Sequence, residues 1–191
     1  MDAWSRLNHR ISEIESLHQA AAILSWDQQT MMPAGGAAGR ARQMSTLTAI
    51  SHEKIVDDDV IELLDTLDAF PDLTPLQKAA VARFRRRSTR ARRVPVDLVR
   101  AISKATAEGM GAWVQAKQEN DFSLFSSALT EIVSLVRQSA ACHEPADHPY
   151  DALLSEFDPG SSVAELAPMF DRLGTELASF VANTKDRPGP P

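Results

Sequence analysis

Five histidines and a single cysteine are the side chains of this 191-residue chain best suited to ligate a metal or to pair a nucleophile with its base. Two histidines are followed by glutamate, His52 with Glu53 and His143 with Glu144, which is how a helical zinc site begins. In such a site histidines at i and i+4 share one helical face, and the intervening glutamate is general base to a water whose pKa the metal lowers to about 7. Neither pair completes the pattern. After His52 the i+4 position is Val56, which cannot ligate. After His143 the next histidine, His148, falls at i+5, roughly 140° away around a helix, and Pro145 breaks that helix. His9 and His18 have no acidic or thiol partner at ligand spacing and read as surface or core histidines. Cys142 and His143 are sequence neighbours whose side chains diverge on a helix, so they make no nucleophile–base pair. A phosphate-binding GxxxxGK[ST] loop, a GxGxxG turn and a GxSxG elbow are absent too. The chain offers no catalytic residue and no metal ligand set of its own.

The elements that position these groups are helices. Apolar residues recur at spacings of three and four almost throughout, and no segment alternates with period two, so the chain reads as all-α. An antiparallel layer of about six to eight helices is expected. The first runs from about Asp2 to Trp26 on Leu7, Ile11, Ile14, Leu17, Ala21 and Leu24, and the second from about Ala37 to Ile55. Asp57, Asp58 and Asp59 sit where negative charge caps a helix N-terminus, a reading preferred to a metal site. Thr74 and Pro75 open a helix that ends before Pro95, and another begins at Pro95, with small residues that predict close helix contact near Gly109. Asp121 to His143 forms a further helix, and Ser162 with Glu165 makes a capping box for the last, which Pro168 should kink. Trp26 and Trp113 occupy apolar positions and are expected in the core. With no repeat or linker to divide them, residues 1–184 read as a single helical unit, and 185–191, KDRPGPP, as a disordered Pro-rich tail.

Composition narrows the class. A formal charge of −6 with 43% hydrophobic residues describes a globular protein, not one that coats nucleic acid with its whole surface. One cysteine precludes an internal disulfide, and the first thirty residues hold no signal-peptide core or membrane span, so a cytoplasmic setting is expected. One segment runs against the charge balance. Arg83, Arg85, Arg86, Arg87, Arg90, Arg92 and Arg93 put seven arginines into eleven residues, leaving −6 − 7 = −13 on the remainder. They could neutralise phosphate if they formed one stripe; otherwise they pair with acidic neighbours, the preferred reading.

The stretch Ser25 to Gln43, SWDQQTMMPAGGAAGRARQ, is too particular for an ordinary helix junction. Trp26, Asp27, Thr30, Pro33, Arg40 and Gln43 resemble the WDxxTxMPxxGxxxRAxQ signature of the carboxypeptidase Taq family of zinc metallocarboxypeptidases. Trp113, Ala116, Asp121, Phe122 and Phe125 are similar to a second family pattern, and Leu129, Val133, Leu135 and Arg137 to a third, with Ser127 where proline is usual. Tyr150, Asp151, Leu153, Leu154, Phe157, Pro159 and Gly160 look like its YDALLDxYEPG box.

The resemblance implies a larger helical metallopeptidase that uses zinc or another divalent metal to remove C-terminal amino acids from peptides. Its HExxH helix and carboxylate-binding groups lie beyond the part matched here. The chain is therefore expected to be the N-terminal part of such an enzyme, as a truncated product or split gene would give, inactive alone and binding no cofactor. Trp26, Asp27, Thr30, Pro33, Arg40, Tyr150, Asp151 and Gly160 are expected to be structural or to line the substrate groove, and Tyr150 and Asp151 to lie in a loop-like segment. The alternatives are a non-catalytic interaction module that self-associates or binds a complementary C-terminal part, and nucleic-acid binding through Arg83 to Arg93. No membrane partner is expected.

Overall fold

The computed structural model describes residues 2–143 and 147–184. Among them are eight α-helices and no strand: α1 Ala3–Thr30, α2 Ala37–Val56, α3 Asp58–Asp68, α4 Pro75–Ala91, α5 Val96–Glu119, α6 Ser123–Ala141, α7 Asp151–Phe157 and α8 Val163–Thr184. A 3₁₀ turn, Ala34–Gly36, joins α1 to α2. Contacts divide the chain into two compact units, Met1–His143 and Glu144–Pro191. The tail expected to be disordered lies outside the described residues.

In the first unit α1 and α2 run antiparallel, with Glu13 bonded to Lys54, His18 to Ser51 and Leu24 to Arg40. Leu7 and Ile14 of α1, Ile55 of α2, Val60, Leu64 and Leu67 of α3, and Val81 and Phe84 of α4 form one buried cluster. Burying a side chain of this size stabilises by about 1.5–3 kcal/mol. That outweighs the surface ion pairs around it, each worth about 0–1 kcal/mol. Ser88, fully buried, donates its hydroxyl at 2.7 Å to the Ile55 carbonyl, satisfying a backbone acceptor at the end of α2. α5 packs on α2, and α6 folds back on α5. A Cβ on Gly109 would stand 2.9 Å from Ile132 Cδ1, the close approach the small residues predicted.

Side chains start the helices where the sequence placed them. Asp57 accepts from the Asp59 N–H at 3.0 Å and caps α3. Thr74 and Gln77 form a reciprocal capping box with Pro75 in the first turn of α4. Ser162 and Glu165 form another at α8, which runs on past Pro168. α1 continues four residues beyond the expected end at Trp26. Apolar spacing stops there, but Asp27 to Thr30 are polar residues that a helix accommodates, and periodicity registers burial rather than helicity.

Three of the seven arginines in the run pair with acids. Arg85 forks across Asp65 at 2.8 Å and Asp68 at 2.7 Å on α3, Arg87 pairs with Glu15 at 2.7 Å, and Arg92 with Asp58. Arg86, Arg90 and Arg93 are also engaged. No helix among the described residues is long and apolar enough to cross a membrane.

Candidate functional site

The α1–α2 corner is built around Arg40. Its guanidinium reaches three acceptors: the Asp27 carboxylate at 2.5 Å, the Leu24 carbonyl, and the Gln43 side-chain oxygen at 3.2 Å. The Arg40 side chain is only 11% exposed and that of Asp27 35%, so the pair is partly withdrawn from water. Met31 and Met32 both donate backbone N–H to the Asp27 carbonyl at 2.9 Å, closing α1. Thr30 returns its hydroxyl to the Trp26 carbonyl at 2.8 Å, and Gly36 N–H reaches the Pro33 carbonyl at 2.8 Å. A side chain at Gly36 would press on Met32 at 3.0 Å, which explains a glycine there. Gln28 ties this corner to α5 through the Ala107 carbonyl at 2.8 Å. Asp27 and Arg40 thus form a clamp, while Thr30 and Pro33 make local bonds in the turn that follows α1.

Trp26 does not join it, being 61% exposed, with Ile23 and Met31 exposed beside it on the same end of α1. Trp113 is exposed as well. The expectation that both tryptophans are core residues is therefore corrected. An apolar position at helical spacing marks a face that favours burial, but a packing partner must be present to cover it. A shallow groove of about 610 Å³ along α6, lined by Leu129, Val133, Arg137 and Ala141 among others, is open in the same way.

The second unit holds Tyr150, Asp151 and Gly160. Tyr150 lies in a turn, as the loop-like reading expected, whereas Asp151 is already the first residue of α7; Pro149 sits inside that turn, which the Asp151 N–H closes on the His148 carbonyl at 2.9 Å. The Asp151 carboxylate accepts from Val163 N–H at 2.7 Å, at the start of α8, and from His148 N–H at 3.2 Å. Tyr150 N–H donates to the His148 ring nitrogen at 3.1 Å, and its own side chain is exposed. Gly160 has φ +101°, a conformation only glycine adopts without strain. Asp151 and Gly160 are parts of a hydrogen-bonded corner that sets the entry to α8.

His52 and Glu53 are not brought together as a metal site. His52 is buried, and burial holds its imidazole below its usual pKa against the opposing pull of a hydrogen bond to the Val94 backbone and of Glu53. Glu53 turns to Arg100 at 3.1 Å. Glu144 lies outside the described residues. Among the described residues no three His, Cys, Asp or Glu side chains gather where a metal could be held.

One network had no signal in the sequence. His18 Nε2 lies 2.7 Å from the buried Ser51 hydroxyl, and Arg87 Nη2 is 3.1 and 3.2 Å from the two ring nitrogens while Nη1 bonds Glu15. Near-equal distances to both nitrogens place that Nη over the ring face. Burial first, and then Arg87, hold His18 below its usual pKa, while the bond to Arg87 lowers that of Glu15. The network clasps α1, α2 and α4. Ser51 is too buried to meet a substrate, so this is a structural tie.

A model of the carboxypeptidase Taq (M32) metallopeptidase family matches residues 6–190. Thermostable carboxypeptidase 1 of Thermus thermophilus is 32% identical over 181 residues, covering 88% of this chain and 36% of the relative. Carboxypeptidase 1 of Bacillus subtilis is 29% identical over 172 residues, covering 90% and 34%. Among solved structures, BsuCP superposes with TM-score 0.91 at 26% identity over 97% of this chain and 38% of that one. The M32 carboxypeptidase of Deinococcus radiodurans superposes with TM-score 0.78 at 29% identity, over 99% and 38%. The chain spans about a third of the length of the curated relatives it matches. The chain belongs to the carboxypeptidase Taq (M32) metallopeptidase family, matching its N-terminal part.

Proposed function

We propose that this chain is the N-terminal helical part of a metal-dependent carboxypeptidase that releases C-terminal amino acids from peptides, and that it is inactive alone. What supports this reading is a family match over residues 6–190 in a chain whose described residues gather no three His, Cys, Asp or Glu side chains into a ligand set. The divalent metal, zinc in our reading, belongs to the remaining part of the fold, and no step of hydrolysis is assigned to residues of this chain. Its role is to support that part: the Arg40 clamp holds the end of α1, and Trp26, Tyr150 and their exposed neighbours face the substrate groove or the rest of the enzyme. The setting is cytoplasmic. The test is release of amino acids from short peptides with a free C-terminus by the purified chain, with and without added zinc. No release is expected; chelator-sensitive release would refute the reading.

A further inference from the structure

α8 is the longest apolar surface in the second unit. Leu166, Met169, Phe170, Leu173, Leu177 and Phe180 recur at spacings of three and four, and at 100° per residue they fall within an arc of about 100° along a helix of about 33 Å. All but Leu166 are exposed large hydrophobics. The opposite side is polar or small, with Asp171, Thr175 and Ser179, and a flanking Arg172–Glu176 pair at 3.6 Å. A stripe of this width belongs to a helix that lies against other elements of a core. A monomeric soluble protein rarely leaves such a surface bare. α8 is nonetheless well started, by the Ser162–Glu165 box and the Asp151 carboxylate on Val163, so the helix is set up before anything covers it.

The geometry points to an interface: the apolar stripe of α8 docks the remaining part of an M32 carboxypeptidase fold, through an apolar helical surface of that part. This rests on the proposed function above and names the partner surface within it. What identifies the occupant is the comparison with BsuCP, in which 97% of this chain corresponds to only 38% of the other, so most of the shared fold lies outside the matched region. A surface shaped for a core, on a chain that matches about a third of larger relatives, has the remaining part of that fold as its complement. A second copy of this chain is the competing occupant.

The stripe can be charged without disturbing the chain itself, because Leu173 is 44% and Leu177 51% exposed. The experiment co-expresses the tagged chain with the portion of Bacillus subtilis Carboxypeptidase 1 that lies beyond the stretch it matches, and measures recovery of the two together. The wild-type chain should recover that portion at one to one. Leu173→Glu with Leu177→Glu should reduce recovery at least tenfold, while Ser179→Glu on the opposite face leaves it unchanged. The charged variant should keep the far-UV circular dichroism and melting temperature of the wild type, separating lost docking from lost folding. The proposal is overturned if no joint recovery occurs, if recovery ignores the charges, or if the stripe instead drives homodimers that the charges dissolve. Hydrolysis by the chain alone would refute the functional reading without touching this result.

Discussion

Replacing Arg40 by alanine removes a guanidinium that satisfies three acceptors at once, and the effect can be bounded from the structure. A fully exposed pair would cost about 0–1 kcal/mol and a fully buried one broken on one side about 3–5 kcal/mol. With Arg40 at 11% and Asp27 at 35% exposure the site lies between. The variant leaves the Leu24 carbonyl and one Asp27 oxygen without their partner. Hydrogen bonds to charged groups contribute about 1.5–3 kcal/mol each when both ends are held, and water re-entering the corner recovers part of that loss. A net destabilisation of about 2 kcal/mol is expected, or about 4–8 °C in the melting temperature of a unit this size. Lysine should not rescue it, since one ammonium cannot reproduce the planar fork. The assay is urea denaturation of wild type, Asp27→Ala, Arg40→Ala and the double variant, and the coupling between the two positions should be about 1–2 kcal/mol. Additive single effects, or an Arg40→Ala variant within 0.5 kcal/mol of wild type, would refute the clamp.

Three further outcomes follow from local geometry. Gly160→Ala meets no atom within 4 Å but must adopt φ +101°, so it should cost about 1–2 kcal/mol, read as faster amide exchange at the start of α8. Gly109→Ala places its methyl against the movable end of Ile132, and the gain in helix propensity, about 1 kcal/mol, should leave stability near wild type; Gly109→Leu overpacks the α5–α6 contact and should cost about 1–3 kcal/mol in the same denaturation assay. His18 and His52 both have folded pKa values below the usual 6.5, so the unfolded chain takes up protons first as pH falls. Their contribution is complete well above pH 6.5 and is lost as the pH drops below it toward the folded values. The melting temperature should therefore fall between pH 7.5 and pH 5, and His18→Gln should flatten that slope.

Much of the framework was legible in the residues. Thr74 with Pro75, Asp57, and Ser162 with Glu165 are caps whose chemistry is local, so a few residues suffice to recognise them. The close approach at Gly109 was legible because small residues at helical spacing permit one thing a large residue does not. Asp27 and Arg40 were visible as members of a signature, but their bond to each other needs the reversal at Gly36 to bring them together. The Ser51–His18–Arg87 clasp joins residues 33 and 69 positions apart and left no pattern to read. Trp26 and Trp113 were misplaced for a different reason: hydrophobicity reports what a side chain favours, and whether it is covered depends on surfaces that local sequence does not encode.

Metal stoichiometry decides whether the reaction centre lies outside this chain, as proposed. Equilibrium dialysis of the purified protein against micromolar zinc, followed by elemental analysis, should find well below one zinc per chain, with no release of C-terminal amino acids from peptides in the dialysed sample. One tightly held zinc per chain, together with release that a chelator abolishes, would contradict the account.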